Sequence, residues 1–391
     1  MYKFEKIKSD FLINPEITYL NFGSFGACPK PIFDEYQRWQ RVIEFEPVQF
    51  IAVNASENLE KSRKALAQYI NCNKDELVLV SNPSYAVNII AKSLQLNKGD
   101  EILSTDLEYG ACDRAWNYYC DKAGAKFIRT PITLPVKSKE ELIEEFWKGY
   151  SKHTKAIFIS QITSTTAMKF PVKEICDMAK ERGLLTFVDG AHVPGHVPLD
   201  LADLKADIYT GACHKWMMTP KGCSFLYVKH ELQHLFDPLV ISWGYKSASP
   251  SHSQFLDYHQ MQGTRDFSAF LTIPKAIEYM KENNWNNVAD DCAALARNNY
   301  QKFCDLFHTQ PLCPINNYHL GQMCSVRINT IYAEQIQNTL FRKYKIEIPV
   351  MKHNGNTFIW YSINAFNSQF DLDILYAALK DIISETDWIK V

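Results

Sequence analysis

The feature that most restricts the fold of this chain is a regular alternation of short apolar segments with helical segments. Stretches with helical spacing of apolar residues occur at 33–45, 57–70, 138–149 and 172–182. Strands that alternate with helices predict an α/β fold, in which a mostly parallel sheet of about seven strands carries helices on both faces. Seven segments have the length and apolar character of buried strands: 76–80, 101–104, 125–128, 156–159, 184–188, 208–210 and 224–228.

The pattern changes after about residue 270. A long helical segment, roughly 273–307, precedes separated strands near 323–328 and 357–363, which is typical of a smaller α+β domain. No repeat or Gly/Ser linker interrupts the chain, so we expect an extensive domain interface. The sequence therefore predicts three parts: an N-terminal segment, 1–50, that joins the small domain, a large domain, 51–270, and a small C-terminal domain, 271–391.

Composition restricts the partners and the compartment. With 391 residues and a net charge of −2, the chain has a large core and no excess charge that would favour nucleic acid or an anionic membrane. The start of the chain is charged and carries no sustained apolar run, which predicts neither a signal peptide nor a membrane span. Eleven cysteines without a metal-ligand rhythm indicate reduced thiols and no metal site. We expect a cytoplasmic protein.

An acid and an amine follow two successive predicted strands. The run 184–188 stops at Asp189, and the run 208–210 is followed by Lys215. Both groups would lie at the carboxyl edge of a parallel sheet, where open α/β sheets bind ligands. Pyridoxal 5′-phosphate (PLP) needs this pair, because a lysine forms an imine with its aldehyde and a carboxylate keeps its pyridine nitrogen protonated. The sequence therefore predicts PLP chemistry at the α-carbon of an amine.

Neighbouring residues fit this prediction. Lys215 lies among apolar and aromatic residues, which would favour its neutral, nucleophilic form. His192, three residues after Asp189, could contact the cofactor ring or its phenolic oxygen, or could be only a hydrogen-bonded loop histidine. Ser84 follows Pro83 at the start of a predicted helix, where free amides and a hydroxyl can bind a phosphate, although simple N-capping would also explain Ser84.

Several motifs in the same order give the chain a family resemblance. It resembles fold-type I PLP enzymes of the class V aminotransferase superfamily, within the group similar to isopenicillin N epimerase. The resemblance implies a homodimer in which a second subunit completes each site. The motifs that carry it are YLNFGSFG at 19–26, VDGAHVPG at 188–195, TGACHKW at 210–216 and GTRDFSA at 263–269.

The resemblance also implies a role for each matching residue. Lys215 would form the imine and move the α-proton, and Asp189 would pair with the pyridinium. Tyr109 would stack on the ring, a position in which aromatic residues are effective, and Ser164 would approach the phenolic oxygen. The implied phosphate contacts are Ser84, His214 and, from the second subunit, Gly263 and Thr264.

The sequence departs from the family pattern at three positions. Ala212 stands where a polar phosphate ligand is common, and Phe22 follows Asn21 where a histidine is usual. Trp360 stands where relatives place an arginine that grips the substrate carboxylate in a bidentate fork. Either Arg265 or another group holds the carboxylate, or the substrate is not an ordinary α-amino acid. Asn21, Phe22, Trp360 and Arg265 are the candidate substrate contacts.

Several reactions remain open at this point. Relatives catalyse epimerisation of peptide-like amino acids and carbon–sulfur lysis of cysteine conjugates or sulfoxides, and transamination is a further alternative. A cysteine desulfurase is disfavoured because the loop at 349–357 has no cysteine and Cys324 lies in a predicted strand. A catalytically silent PLP-fold protein is the alternative from another class. A dinucleotide-dependent dehydrogenase lacks support because no GxGxxG motif follows the first strand.

Overall fold

The computed structural model describes residues 5–391. The predicted absence of a leader segment depends partly on residues 1–4, which lie outside the described part. Twelve strands occur in 5–391: β1 (Thr18–Tyr19), β2 (Leu77–Val80), β3 (Glu101–Thr105), β4 (Lys126–Thr130), β5 (Thr154–Ser160), β6 (Leu185–Gly190), β7 (Ile208–Ala212), β8 (Ser224–Val228), β9 (Met323–Ile328), β10 (Ile346–Glu347), β11 (Val350–His353) and β12 (Asn356–Ser362).

Helices connect most of these strands, and they range from single turns to 22 residues. The α-helices of the described part are α1 (Glu5–Lys8), α2 (Phe22–Phe25), α3 (Lys30–Phe45), α4 (Pro47–Gln49), α5 (Ala55–Ile70), α6 (Pro83–Ser93), α7 (Gly110–Ala123), α8 (Lys139–Trp147), α9 (Val172–Glu181), α10 (Leu201–Leu204), α11 (Gln254–Gln260), α12 (Ser268–Leu271), α13 (Ile273–Glu282), α14 (Trp285–Leu306), α15 (Ala333–Arg342) and α16 (Gln369–Glu385).

The central sheet has seven strands in the order β2-β8-β7-β6-β5-β3-β4. Strands β3 to β7 pair in parallel, and β8 is antiparallel to both of its neighbours. Strands β2, β7 and β8 are buried at every position, as expected for strands covered on both faces. The predicted α/β fold with a mostly parallel sheet is confirmed, and all seven predicted strands are present.

The C-terminal part is a three-stranded antiparallel sheet, β11-β12-β9, with helices against it. Two local expectations were wrong. The segment 349–357 is not a loop, because Val350–His353 forms a hairpin with β12. The helical segment 273–307 is broken, because Asn284 has a left-handed backbone (φ 50°) that ends α13 and precedes α14. Asparagine tolerates this conformation better than most residues.

The N-terminal segment pairs with the C-terminal part of the chain, since β1 and β10 form a two-stranded parallel sheet. The exact domain boundaries stay a prediction. No helix within residues 5–391 combines the length and apolarity needed to cross a bilayer. In the same residues, no three His, Cys, Asp or Glu side chains are grouped so that they could hold a metal ion.

Candidate active site

Two adjacent strands position the acid and the lysine. Strands β6 and β7 are parallel neighbours, and Asp189 is paired with Thr210 near their carboxyl ends. The chain leaves β7 and reaches Lys215 within three residues of Ala212, in a turn that precedes β8. Because the strands run in the same direction, both side chains reach one edge of the sheet, as the sequence predicts.

A cavity of about 320 Å³ lies at this edge and brings most of the predicted residues together. The predicted residues that line it are Pro83, Ser84, Tyr109, Ser164, Asp189, His192, His214 and Lys215. Seven further residues, which the sequence did not single out, complete the lining: Ser24, Phe25, Asn82, Cys112, Ser160, Ile162 and Ala191.

Asp189 is a buried carboxyl group, with 3% of its surface exposed. Its Oδ1 accepts a hydrogen bond from the backbone N–H of Ala191 at 2.9 Å, and its Oδ2 accepts one from the Cys112 thiol at 3.6 Å. Burial raises the pKa of Asp189, while the Ala191 N–H and the charge of Lys215 partly oppose this rise. A protonated pyridine nitrogen would give this carboxylate a charged hydrogen-bond partner, so the side chain fits the cofactor.

Lys215 and His192 lie in contact inside the cavity, with Lys215 Nζ 3.2 Å from His192 Nε2. Burial lowers the pKa of Lys215 to about 8, although the charge of Asp189 favours the ammonium form. Burial, followed by the charges of Lys215 and His196, holds the pKa of His192 well below its usual value. A substantial fraction of Lys215 is therefore neutral near pH 8, as an imine-forming lysine requires.

The predicted phosphate contacts Ser84 and His214 lie at the start of α6 and directly before Lys215. Asn82 is the N-cap of α6, and its side chain accepts the Tyr85 N–H at 2.9 Å, so the simple N-capping explanation for Ser84 is wrong. Pro83 is the first residue of the helix and Ser84 the second. Across the cavity, His214 Nδ1 donates to the Cys223 carbonyl at 2.8 Å. Burial lowers the pKa of His214 to about 4, and a bound phosphate would favour its charged form.

The residues predicted to contact the ring come from other elements that line the cavity. Tyr109 precedes α7 and is 49% exposed, and Ser164 follows β5. Ser160 is paired with Asp189 across β5 and β6. Behind it, the buried carboxyl of Glu108 accepts hydrogen bonds from the Ser160 N–H at 2.9 Å and from the Thr105 hydroxyl at 2.9 Å. Burial raises the pKa of Glu108 to about 8, although these donors oppose the rise.

The four candidate substrate contacts lie outside the cavity lining. Asn21 Nδ2 donates to Glu347 at 3.3 Å, and the buried Phe22 ring lies 5.0 Å from the Trp216 ring. Trp360 is buried, and its indole N–H donates to the Met351 sulfur at 3.3 Å. The Arg265 guanidinium donates to the Gln260 carbonyl at 3.1 Å and lies 5.0 Å from the Phe270 ring centre. Their roles toward a substrate stay predictions.

Gly263 and Thr264 also lie outside the cavity, in the segment between α11 and α12. The segment nevertheless lies near the start of α6 in the same chain, because the hydroxyl of Tyr85, which follows Ser84 in the sequence, donates to Gln262 at 2.9 Å. Their predicted contribution from a second subunit is not tested by a single chain.

Sequence reasoning missed three groups that contact the core of the site. Cys112 lies three residues after Tyr109, one helical turn into α7, a spacing that could have placed it beside the cavity. Glu108 directly precedes Tyr109 in the sequence. The indole N–H of Trp216, which lies 3.4 Å from His192 Nδ1, depends on a side-chain rotamer, and the sequence gives no signal for that rotamer.

The sheet topology and the paired lysine and acid define a fold-type I PLP enzyme. The chain matches the model of the aminotransferase class-V family over residues 34–375, and it belongs to that family. Family and fold together indicate PLP as the cofactor. The buried Asp189, the cavity-lining Lys215 and the helix start at Ser84 fit that cofactor.

Curated relatives include proteins described with two different activities. The chain is 29% identical over 384 residues to an isopenicillin N epimerase of Amycolatopsis lactamdurans, covering 95% of this chain and 96% of the relative. It is 32% identical over 282 residues to a putative L-cysteine desulfhydrase of Oryza sativa subsp. japonica. That match covers 68% of this chain and 57% of the relative.

Solved structures show the same fold. The apo cysteine desulfurase of Thermococcus onnurineus NA1 superimposes with a TM-score of 0.83 at 18% identity, with 98% of both chains covered. A cystine C–S lyase in complex with its reaction product, cysteine persulfide, gives a TM-score of 0.81 at 19% identity. This match covers 94% of this chain and 98% of the lyase. At these identities, the likeness concerns the fold alone.

Proposed function

We propose that this class V PLP enzyme acts at the α-carbon of an amino acid or amino-acid conjugate and changes its configuration, as an epimerase does. The observation that carries the proposal is the contact of Lys215 Nζ with His192 Nε2 at 3.2 Å inside the cavity. Burial lowers the pKa of Lys215 to about 8, so its amine can take up and return a proton at one carbon, and the contact with His192 orients that amine. Similarity to an isopenicillin N epimerase over 95% of the chain supports the same activity.

Each lining residue has a proposed role toward the cofactor. When bound, PLP withdraws electrons from the α-carbon and weakens its bonds to hydrogen. Lys215 would hold the aldehyde carbon, and Asp189 would keep the ring nitrogen protonated. Ser84 and His214 would bind the phosphate, Tyr109 would cover one ring face, and Ser164 and His192 would contact the phenolic oxygen.

A bulky substrate fits the surroundings better than a small amino acid. Phe25 is 65% exposed and borders both the active-site cavity and a second cavity of about 600 Å³. Lys221 and Glu347 also line this second cavity, so it offers polar groups as well as apolar surface to a large side chain. The substrate carboxylate would be held by groups other than the usual arginine, since Trp360 is buried at that position.

A carbon–sulfur lyase is the second candidate, and the relationship to a putative L-cysteine desulfhydrase favours it. A desulfurase mechanism with a nucleophilic cysteine has no support in the cavity. Its one thiol, Cys112, donates to Asp189, and Cys324 is buried in β9. Burial also raises the pKa of both thiols, which disfavours the thiolate.

The deciding experiment exposes the holoenzyme to L- and D-amino acids, cysteine conjugates and sulfoxides in D₂O. Deuterium exchange at the α-carbon, configuration and pyruvate release are measured, with Lys215→Ala as the background control. Exchange with inversion and no pyruvate supports an epimerase. Pyruvate from cysteine derivatives would support the lyase, and an amino-group transfer would support an aminotransferase. A wild-type protein that exchanges no substrate more than the control would contradict catalysis and favour a silent PLP-fold protein.

We also propose a homodimer in which Gly263 and Thr264 complete the partner's site. Apolar side chains near this segment are exposed in the single chain, including Trp243 at 88% and Ile241 at 62%. Burial of such side chains against a second subunit would stabilise a dimer. Mixing Lys215→Ala subunits with Gly263→Asp subunits tests shared sites, because one site of each mixed dimer would then carry neither change. Recovery of cofactor absorbance supports sharing, and no recovery in verified mixed dimers would contradict it.

The cytoplasmic location stays a prediction. Its support is that all eleven cysteines are free thiols, which is the state expected in a reducing compartment.

A further inference from the structure

Trp216 is connected to Lys215 through His192. Its indole Nε1 lies 3.4 Å from His192 Nδ1, and His192 Nε2 lies 3.2 Å from Lys215 Nζ. The Trp216 side chain is fully buried, and its ring is stacked on His196 with centroids 4.1 Å apart. This packing fixes the indole plane, so the direction of its N–H is set by the fold.

The donor and acceptor properties of Trp216, His192 and Lys215 fix the direction of the two hydrogen bonds that link them. An indole N–H can only donate, so His192 Nδ1 must accept and carry no proton. A neutral imidazole then has its proton on Nε2, the atom that faces Lys215 Nζ. An ammonium group has no lone pair to accept this N–H, whereas a neutral amine has one.

We propose that Trp216 is a positioning residue that fixes the tautomer of His192, so that His192 Nε2–H donates to Lys215 and stabilises its neutral amine. The proposal concerns the protein before the cofactor is attached. The proposal rests on the proposed function only in explaining why this contact is useful: a neutral Lys215 amine can attack the aldehyde of the cofactor.

Other charged and titratable groups around Lys215 and His192 also favour or oppose the ammonium form of Lys215. Asp189 from β6 faces Lys215 and favours its ammonium form. Cys112 from α7 would do the same only as a thiolate, which burial disfavours, and the neighbouring His214 would oppose the ammonium when charged. His196 lies beside His192 and is held neutral, because its Nδ1 donates to the His192 carbonyl and its Nε2 accepts the Gln322 N–H at 2.6 Å. The tautomers of both histidines are therefore set by neighbours that cannot change roles.

Protonation of Lys215 breaks this arrangement. The ammonium could be accommodated only if His192 moved its proton from Nε2 to Nδ1, where it would face the N–H of Trp216. Replacing the indole with a phenyl ring removes that conflict. In Trp216→Phe, His192 can adopt the Nδ1–H form and accept from the ammonium, so the pKa of Lys215 should rise.

The test measures the cofactor-free full-length chain by NMR. With ¹⁵N-labelled histidine, the wild type should show His192 as the Nε2–H tautomer, and Trp216→Phe should shift it toward Nδ1–H. In the same variant, the pH at which PLP uptake reaches half of its maximal rate should rise by about one unit, a tenfold change in the protonation equilibrium. The control is Trp285→Phe in α14, because its buried indole N–H has no partner in the structure. Both readouts should be unchanged in this control.

Two results would overturn the proposal: an Nδ1–H tautomer of His192 in the wild type, or an unchanged tautomer and pH profile in a folded Trp216→Phe variant. The wild-type tautomer needs no variant, so it decides the question even if Trp216→Phe does not fold. The tautomer also does not depend on any reaction. If the protein does not turn over amino acids, the proposed function is contradicted, but the tautomer of His192 can still be measured and still tests this proposal.

Discussion

The N-terminal loop lies against the backbone of the lysine at Gly26. Gly26 has a backbone conformation that is essentially limited to glycine (φ 64°, ψ 179°), and a Cβ there would lie within 2.6 Å of the carbonyl oxygens of His214 and Lys215. These atoms belong to the backbone, so neither can turn away as a side chain would. Gly26→Ala should therefore both destabilise the protein and displace Lys215.

The size of the effect follows from two contributions. A non-glycine residue in this region, with positive φ and ψ near 180°, costs about 1 to 3 kcal/mol. Overpacking against fixed neighbours adds about 1 to 3 kcal/mol. We therefore expect Gly26→Ala to lower the free energy of unfolding by about 2 to 6 kcal/mol. Gly183→Ala is the control, because Gly183 also has a positive φ (68°) but nothing within 4 Å of its Cβ position.

Urea unfolding of the two variants, followed by tryptophan fluorescence, separates these contributions. Gly183→Ala should show the backbone cost alone and should keep the visible absorbance of bound cofactor. Gly26→Ala should be less stable than Gly183→Ala and should lose cofactor absorbance. If the two variants were equally stable and both kept the cofactor, the close contact between the loop and Lys215 would be refuted.

Two further predictions concern the lysine and the phosphate end. In the cofactor-free protein, Lys215→Met should stabilise the fold below pH 8, where the wild type carries the full cost of a buried ammonium. This stability advantage of Lys215→Met should shrink between pH 8 and 10.5, because the pKa of Lys215 is about 8 in the folded protein and its ordinary value is 10.5. A difference in thermal midpoint between variant and wild type that is the same at pH 7 and pH 9.5 would contradict this prediction. Ser84→Ala should leave stability unchanged, because Asn82 caps the helix, but should weaken PLP binding about tenfold through loss of one hydrogen bond to a charged group. Equilibrium dialysis measures this loss, and wild-type affinity would exclude Ser84 from the phosphate site.

The sequence was sufficient to predict the parts of the site that lie on strand ends and helix starts. Asp189 and Lys215 reach one cavity because parallel strands end at the same edge, and Ser84 reaches it because α6 begins there. The sequence could not predict the break at Asn284, since helical spacing of apolar residues continues on both sides of it. The hairpin of β11 was missed because its polar residues, such as Lys352 and His353, resemble a loop.

The contacts that tune the site depend on side-chain directions that no pattern encodes. Cys112 meets Asp189, and Trp216 meets His192, only after α7 and the turn following β7 have packed. Trp360 stands where relatives place a substrate arginine, but its burial beside Gly23 and Met351 depends on the packing of β12 against the N-terminal loop.

The central claim is that Lys215 carries PLP. The direct measurement is reduction of the purified, PLP-loaded protein with borohydride, followed by proteolysis and mass spectrometry. We expect the visible absorption band to be bleached and the reduced cofactor to be attached to the peptide that contains Lys215, with no attachment in Lys215→Ala. A protein that gains no visible band with added PLP, or a label on another lysine such as Lys221, would contradict the claim.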